Sequence, residues 1–380
     1  MRSLFRRLRK ALYQYEPLVE VRISKARLID NYRSLKQLAP VGGLAPVLKS
    51  NAYGHGLVSV ATILDKEKPP FFVVDSYFEA LTLRNEGIKS PILIIGFTHL
   101  ENVCRSRLKD TAFTLSSLEQ VSIVAKRLTK PTTFHLKIDT GMNRQGVRVE
   151  EIAEALRLIK GNPKIILEGV CSHFANAASP DTTDSRKQID RWHSALKIVR
   201  QSLPNLKFAP LSATSGHRFA GRIDANISRS GIGLYGIATE ESLKRSVKLL
   251  PVLSMRSIIT GTKKVLAGES VGYENLFVAS KNMLVATVPA GYYEGIDKRL
   301  TNRGVLEVEG VLCPIVGRVS MNITTIDVSQ LSKVKIGDRV LVISNDPDRP
   351  NSIEQIATQC GTNPHEILVH IPNHIRRVVS

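Results

Sequence analysis

The chain has 380 residues, a hydrophobic content of 43% and a charged content of 23%, which predicts about two ordinary globular domains. Its formal net charge of +19 has three possible explanations: binding to a nucleic acid, binding to small anionic ligands, or a proteome in which proteins are generally basic. We find no apolar run of about 18 residues, so we expect no transmembrane helix and no stable membrane insertion. We also find no aromatic–basic recognition motif, so we expect no nucleic-acid partner.

The four cysteines lie far apart in the sequence and show no Cys/His spacing typical of a zinc site. They are Cys104, Cys171, Cys313 and Cys360. This usage predicts no metal and fits a reducing compartment, so we expect a cytoplasmic protein.

Residues 1–17 form a basic arm, with five cations before the first acid, Glu16. Its apolar residues share one helical face, opposite the cations. The pattern is found in helices that lie on a membrane surface, in transit peptides and in solvated arms that dock on their own domain. We interpret it as the last of these, because short basic helices are common.

Residues 18–244 alternate short apolar runs with helical patterns. Ser24 is placed to cap a helix, LAPVLK then predicts a strand, and GLVSVATILDK predicts the next helix. About eight such steps follow one another, which predicts a parallel sheet closed into a (β/α)8 TIM barrel. A doubly wound open sheet is the alternative.

Residues 245–380 have a different texture. Short β-branched runs such as VLSMRSIIT, NMLVATVPA and DRVLVIS are separated by Gly, Asn, Asp and Pro. This predicts a C-terminal domain that is mainly antiparallel β.

In a barrel, the carboxyl ends of all the strands meet at one mouth, where the active site lies. The polar residues predicted there are Lys49, Lys137–Arg144, Ser172–His173, Ser215–Gly216 and Arg229–Gly233. The Gly/Ser loops offer free amides for a phosphate. A lysine beside a phosphate site indicates a Schiff base with a phosphorylated carbonyl, for which pyridoxal phosphate is the obvious cofactor.

Six motifs, in order, make the sequence similar to the pyridoxal-phosphate-dependent alanine racemases over nearly the whole chain. They are KSNAYGHG from Lys49 (family KANAYGHG), DTGMNRQG from Asp139 (DTGMxRxG), ISRSGIGLYG from Ile227 (xRPGIxLYG), GESVGY ending at Tyr273, PAGYYEG from Pro289 (PxGYADG) and GRVSMN ending at Asn322 (GRxxMD). One motif alone is weak evidence, whereas six in order are specific.

The resemblance implies that Lys49 holds the cofactor and then acts as one base. Tyr273 from the partner subunit would be the base on the opposite face of an obligate homodimer. Arg229 would contact the pyridine nitrogen, and His173 would lie against the ring and orient Arg229. The other implied contacts are Tyr53, Ser215, Gly231, Ile232 and His365 for the cofactor, and Arg144, Met321, Tyr292 and Asn322 for the small amino-acid substrate.

The implied reaction is the racemisation of L-alanine to D-alanine for peptidoglycan synthesis. Asn322 replaces a family Asp, His365 replaces a tyrosine that limits substrate size, and Thr214 replaces an Asn. These departures favour, as an alternative, a racemase of broader or serine specificity. In some family members the lysine matching Lys137 is carbamylated. A non-catalytic single-barrel carrier of the cofactor is a further alternative, but such proteins lack the β domain.

Overall fold

The computed structural model describes residues 15–380, apart from residues 212, 220 and 239 and the side chains of Ser215 and His217. The basic arm predicted for residues 1–17 therefore lies almost wholly outside the described residues. The chain divides into two compact units. One runs from Ser24 to Val252, and the other combines residues 253–380 with the residues before Ser24.

The unit Ser24–Val252 is built on parallel strands. β3, β4, β5, β6 and β8 are hydrogen-bonded in that order, and Phe208 pairs with Gly169 of β8. β9 pairs with β2, which in turn bridges to β3 through Val47 and Val73. The strands are β2 (Leu44–Pro46), β3 (Phe72–Val74), β4 (Ile92–Ile94), β5 (Thr111–Leu115), β6 (Thr132–Asp139), β7 (Val147–Arg148), β8 (Ile165–Cys171) and β9 (Ser228–Ser230).

Because β9 lies beside β2, the last strand returns to the first, as a closed barrel requires and an open sheet does not allow. The predicted (β/α)8 barrel is therefore confirmed, and the doubly wound alternative is wrong. The strands are short and nearly all buried, which explains why they appear in the sequence as continuous apolar runs.

Helices follow the strands at the positions that the periodicity predicts. Ser24, Ser76 and Ser117 each accept a hydrogen bond from a first-turn amide, which fixes where three of them begin. The helices are α1 (Lys25–Gln37), α2 (Leu57–Leu64), α3 (Tyr77–Asn85), α4 (Leu100–Arg105), α5 (Leu118–Arg127), α6 (Ile152–Lys160), α7 (Thr183–Ser202) and α8 (Glu241–Ser246).

The second unit is mainly antiparallel, as predicted. Its two sheets have the strand orders β14-β13-β16-β10-β1-β17 and β11-β12-β15. The elements are β1 (Glu20–Ile23), β10 (Leu253–Ile258), β11 (Gly261–Val265), β12 (Met283–Val288), β13 (Val305–Val308), β14 (Val311–Pro314), β15 (Thr324–Asp327), β16 (Arg339–Ile343), α9 (Ile353–Gln359), α10 (Pro364–Val369) and β17 (Arg376–Val379).

β1 departs from the predicted domain limits. The sequence analysis begins the barrel at residue 18, but Glu20–Ile23 pairs antiparallel with β10 and parallel with β17. Val21 and Ile23 are fully buried, so the alternation of this strand serves the β unit. Its partners lie more than 200 residues away in the chain, beyond the reach of local pattern reading.

Among the described residues, no helix is long and apolar enough to cross a membrane.

Candidate active site

Four cations from three strand ends act on the same imidazole. Burial, and then the positive charges of Arg229, Arg144, Lys137 and Lys49, together lower the pKa of His173 to about 3. Such effects decay quickly with distance, so these four side chains and His173 belong to one electrostatic cluster. The imidazole is therefore neutral at physiological pH, and the cluster carries an excess of positive charge suited to an anionic ligand.

Lys49 stands at the start of a strained turn. Leu48 donates its amide to the Val73 carbonyl at 2.7 Å, continuing the sheet to the residue before the lysine. The next four residues then all have left-handed backbone, with φ of 56°, 55°, 53° and 52° for Ser50, Asn51, Ala52 and Tyr53. None of them is glycine, and this conformation costs roughly 1 kcal/mol or more per residue. The surrounding structure must supply that energy.

Tyr53 ends this turn with its phenol buried. Burial raises the pKa of Tyr53 to about 12, so the phenol stays protonated and can donate a hydrogen bond at neutral pH. The Tyr53 ring lies 5.2 Å from that of Tyr235, which also stacks on His55 at 4.3 Å. The Tyr235 hydroxyl donates to the Val47 carbonyl at 2.9 Å. The aromatic cluster thus holds the turn against the end of β2.

The Tyr53 phenol fits closely against the loop after β9. A Cβ atom on Gly231 would lie 2.4 Å from the Tyr53 hydroxyl oxygen, so only glycine admits the phenol there. Thr214 Oγ1 accepts from the amides of Gly231 at 3.3 Å and Gly233 at 3.4 Å. The amide of Ile232, between them, donates to no acceptor among the residues that the structure describes. A phenol and a backbone amide are therefore placed together as donors.

Arg229, in β9, is held by the residue that follows β8. Its side chain is only 8% exposed and donates from Nη2 to the carbonyl oxygen of Ser172. The Ser172 hydroxyl lies 2.9 Å from Thr140 Oγ1. Strand β9 is therefore joined to the loops after β6 and β8 through buried polar contacts.

Gln188 of α7 completes this network from outside the sheet. Its Nε2 donates to Thr140 Oγ1 at 3.3 Å and to the His173 carbonyl at 3.2 Å, while its Oε1 accepts from the Ala175 amide at 2.9 Å. Because the amide is 3% exposed, losing these partners would leave buried polar groups unsatisfied. The sequence analysis missed Gln188, which looks like one residue among many on an amphipathic helix.

Lys137 and Arg144 belong to β6 and to the loop that follows it. Burial lowers the pKa of the Lys137 amine; nearby Cys171 opposes this, and Arg144, Arg229 and Lys49 reinforce it. Its Nζ donates to Gln145 Oε1 at 3.2 Å. The loop itself is held by Asp139 Oδ1, which accepts from two of its amides. Arg144 is exposed on this fixed loop.

The β unit presents Tyr273 at the tip of a loop. Val271 and Phe277 close the loop through a backbone hydrogen bond of 3.0 Å, and Glu274 pairs with Arg318. The Tyr273 side chain is 66% exposed.

A second loop pair in the β unit carries Met321 and Tyr292. The amide of Tyr292 donates to the Ser320 carbonyl at 3.0 Å, and that of Tyr293 donates to the Met321 carbonyl at 2.9 Å. A Cβ atom on Gly291 would lie 2.2 Å from the Ser320 oxygen, so glycine permits this approach. Tyr292 is 43% and Met321 is 56% exposed.

Comparison with known proteins decides the family. The family profile described as alanine racemase, N-terminal domain, matches residues 23–239, and that described as alanine racemase, C-terminal domain, matches residues 252–379. The chain belongs to the alanine racemase family. The resemblance deduced from the six motifs is thereby confirmed.

Curated alanine racemases are similar over nearly the whole chain. That of Syntrophobacter fumaroxidans is 35% identical over 92% of this chain and 94% of its own length. That of Carboxydothermus hydrogenoformans is 33% identical over 94% and 98% of the two chains. The similarity therefore extends over more than nine-tenths of both chains in each pair.

Solved alanine racemases share the fold. The structure from Clostridium difficile 630 superposes with a TM-score of 0.89 at 28% identity, covering 97% of both chains. One from Bartonella henselae, described with covalently bound pyridoxal phosphate, superposes with a TM-score of 0.81 at 25% identity, covering 96% of this chain and 100% of its own.

Two of the departures from the family motifs contact each other. Thr214, in place of the family Asn, lies with its hydroxyl oxygen 3.1 Å from that of Ser230, which stands where the family motif has Pro. A third departure is also paired, because Asn322 Nδ2 donates to Glu294 Oε1 at 2.8 Å. An Asp at position 322 would face the Glu294 carboxylate, so the Asn avoids a repulsive contact.

Ser215 and His365 stay predictions as cofactor contacts. The side chain of Ser215 lies outside the described residues. His365 is exposed near the beginning of α10, within the β unit, and its predicted contact with the cofactor stays a prediction.

Proposed function

We propose that this chain catalyses the interconversion of L- and D-alanine with pyridoxal 5'-phosphate as its cofactor. The observation that carries the proposal is the electrostatic cluster around His173, where Lys49, Lys137, Arg144 and Arg229 act together. In a chain of the alanine racemase family, this cluster contains the lysine, the two arginines and the histidine that the motifs imply.

The described residues fit this cofactor. The protonated Tyr53 phenol and the Ile232 amide would donate to phosphate oxygens, and Gly231 leaves room for the phenol. Lys49 is the amine for covalent attachment. Arg229, held by Ser172, would donate to the pyridine nitrogen, with His173 and Ser215 as further contacts. His365 would add a donor to the phosphate.

When bound, pyridoxal phosphate supplies an electron sink for the negative charge that develops at Cα. Lys49 Nζ would hold or return the Cα proton on one face, and Tyr273 Oη would do so on the other. Inversion requires two groups on opposite faces, since one base alone returns the proton to the side that it left. The guanidinium of Arg229 would keep the pyridine nitrogen unprotonated and so favour reprotonation over side reactions.

The substrate needs an anion site of its own. Arg144 provides a guanidinium on a loop fixed by Asp139, and it would bind the substrate carboxylate together with the backbone amide of Met321. Tyr292 and Asn322 would line the entrance. The lowered pKa of Lys137 leaves its amine more readily neutral, as carbamylation by carbon dioxide would require.

We further propose that the functional enzyme is a homodimer in which the partner subunit provides Tyr273. The support is the exposure of large apolar side chains in the β unit near this loop and the loops at 291–293 and 320–323. An exposed group of this kind commonly marks a protein interface. Its members are Tyr273, Leu276, Val278, Tyr292, Tyr293, Met321 and Ile323.

The enzyme would act in the cytoplasm, where reduced thiols such as its four free cysteines persist, and would supply D-alanine for peptidoglycan. The basic arm has no role in this proposal.

The test is to reconstitute the purified protein with pyridoxal phosphate, reduce it with borohydride and map the pyridoxyl group by peptide mass. A chiral assay on L- and D-alanine then measures turnover. We expect the label on Lys49 and conversion in both directions. A wild-type protein that takes up no cofactor, or takes it up without converting alanine, would refute the proposal.

Asn322 and His365 favour a second candidate function, a racemase of broader or serine specificity. Asn322 removes a carboxylate from the entrance, and His365 is smaller than tyrosine. A strict site separates substrates that differ by a hydroxyl by roughly 10²-fold. A kcat/KM for L-serine within tenfold of that for L-alanine would establish the broader activity, and a ratio near 10² would reject it.

A further inference from the structure

The left-handed turn after Lys49 is held in part by a residue from the next strand–helix unit. The amide of Asn51, the second of the four left-handed residues, donates to Glu79 Oε1 at 3.2 Å. Glu79 belongs to the first turn of α3, 28 residues further along the chain. The contact is partly buried, so solvent competes with it only weakly.

The other oxygen of Glu79 has a separate task. Its Oε2 accepts from the amides of Asp75 at 2.8 Å and Ser76 at 3.3 Å, while the Glu79 amide donates back to Ser76 Oγ at 3.2 Å. This is a capping box, which satisfies otherwise unpaired amides at the start of a helix. A capping box needs only one acceptor oxygen from its acidic residue. The second oxygen, Oε1, therefore accepts a hydrogen bond from the turn that follows Lys49.

Two other helices of the same barrel show what capping alone requires. At the start of α5, the equivalent residue is Gln120, whose single Oε1 accepts from the amide of Ser116 at 2.8 Å and from its hydroxyl at 3.1 Å. Before α6 it is Glu151, whose Oε2 accepts from the Arg148 amide at 2.9 Å. Among the described residues, the other oxygen of Glu151 accepts no hydrogen bond. Of these three residues, Glu79 alone accepts hydrogen bonds both at the start of its helix and from the turn after Lys49.

Residues 51–57 also form hydrogen bonds with one another. Asn51 Oδ1 accepts from the Leu57 amide at 2.8 Å, and His55 Nδ1 lies 2.9 Å from the Tyr53 carbonyl oxygen. These contacts join parts of one loop to each other. Glu79 instead joins that loop to the end of β3 and the start of α3, which are parts of the rigid barrel.

We propose that Glu79 is a positioning residue, whose second carboxylate oxygen fixes the left-handed turn so that Lys49 and Tyr53 reach the cofactor together. The effect on cofactor binding rests on the proposed function. The hydrogen bond from Asn51 to Glu79 does not depend on that function. Glu79→Gln is the informative change. An amide offers one acceptor oxygen and an NH2 group. The single oxygen of Gln120 accepts at the start of α5, so we expect the amide in Glu79→Gln to accept at the start of α3 and to turn its NH2 group towards the Asn51 amide.

Glu151→Gln is the matched control. It makes the same chemical change, in the same barrel and at the same position of a capping box, but leaves no second contact to lose. Both variants should therefore fold and lose similar thermal stability. A structural role limited to helix capping predicts the same behaviour for both in every other measurement.

The first measurement is hydrogen–deuterium exchange of the Asn51 amide in the cofactor-free protein, at single-amide resolution. We expect exchange at least about tenfold faster in Glu79→Gln and unchanged within about twofold in Glu151→Gln, since the amide loses its acceptor only in the first. Equal Asn51 exchange in the two variants would overturn the proposal, whatever the enzyme does.

The second measurement is the dissociation constant of pyridoxal phosphate, with kcat and KM for alanine. We expect Glu79→Gln to bind the cofactor about tenfold more weakly. We also expect it to lower kcat by a larger factor than it changes KM, because it misplaces groups that act on the cofactor. Glu151→Gln should match the wild type. Equal cofactor affinity in the two variants would overturn the consequence for Lys49 and Tyr53. A wild type that binds no cofactor would refute the proposed function instead. The exchange measurement would still test whether Glu79 holds the turn after Lys49.

Discussion

The barrel unit and the β unit present their candidate site residues in opposite ways. In the barrel unit, Tyr53 and Arg229 are buried and held by several neighbours. In the β unit, Tyr273 and Met321 are more than half exposed, although the backbone of their loops is firmly hydrogen-bonded.

The difference teaches where each half obtains its order. The barrel unit maintains a strained turn and a buried hydrogen-bond network through its own contacts. This is the arrangement expected of a site that must hold a cofactor in one position. The β unit fixes only backbone and leaves its side chains open, as expected of groups that complete their surroundings on another molecule. Changes to Tyr53 or Arg229 should therefore weaken cofactor binding, and a change to Tyr273 should affect turnover alone.

The largest expected effect comes from Lys49→Ala. It removes both the covalent attachment point and one base, so we expect racemase activity to fall by about 10⁴-fold or more. The reduced, pyridoxyl-labelled peptide at position 49 should also disappear. Chiral turnover and peptide mass measure the two effects. Activity above about 1% of the wild type would exclude Lys49 as the essential amine.

Tyr273→Phe should come next. It removes one proton carrier without touching the barrel, so we expect a loss of about 10² to 10⁴-fold in kcat. The dissociation constant of the cofactor should change by less than about threefold. A large loss of cofactor affinity would contradict the division of labour between the two units.

Gly231→Ala tests the fit between Tyr53 and the loop after β9. The added methyl group would lie 2.4 Å from the Tyr53 hydroxyl oxygen, so the phenol must move. We expect about 1–3 kcal/mol of lost stability from overpacking and a cofactor affinity lower by about tenfold or more. Thermal unfolding and a cofactor titration measure these. Normal affinity in this variant would show that the Tyr53 phenol does not contact the phosphate.

The smallest effect on activity is expected at Glu168, inside the barrel but outside the cluster around His173. The His135 side chain and then Lys207, 2.7 Å away, lower the pKa of Glu168 to about 2 against the opposing effect of burial. A carboxyl with a lowered folded-state pKa stabilises the fold above its unfolded pKa near 4.5, and this stabilisation is lost as the pH falls towards 2.

Glu168→Gln should therefore lower the free energy of unfolding by about 1–2 kcal/mol at pH 7, the shift being discounted for partial exposure, and the difference should vanish near pH 2. Urea titrations across this pH range measure it. Glu154→Gln, which breaks the exposed pair with Arg157, is the control and should change little. A loss of racemase activity in Glu168→Gln at pH 8 would contradict the placement of the site at the strand ends.

Much of this arrangement could be predicted from the sequence. The alternation of buried runs and helices indicated the barrel, and the strand ends then placed Lys49, His173 and Arg229 at one mouth before any contact was known. The turn after Lys49 could not be predicted, because Ser50, Asn51, Ala52 and Tyr53 have no local preference for left-handed backbone. Tertiary contacts impose it.

Residues that act through others were also missed. Glu79 was visible as part of a Ser76-x-x-Glu79 capping pattern, but the second task of its carboxylate depends on a loop 28 residues away. Gln188 has no local signature at all. The β1 strand was assigned to the wrong unit for the same reason, since its pairing partners are distant in the chain.

The central claim is that the barrel of one subunit works with the Tyr273 of another. Co-expression of Lys49→Ala with Tyr273→Phe tests it most directly, because a mixed dimer carries one site with both residues intact and one with neither. Random assembly makes half of the dimers mixed, so we predict about a quarter of the wild-type activity from two variants that are each nearly inactive. A co-expressed mixture no more active than either variant alone would contradict the account.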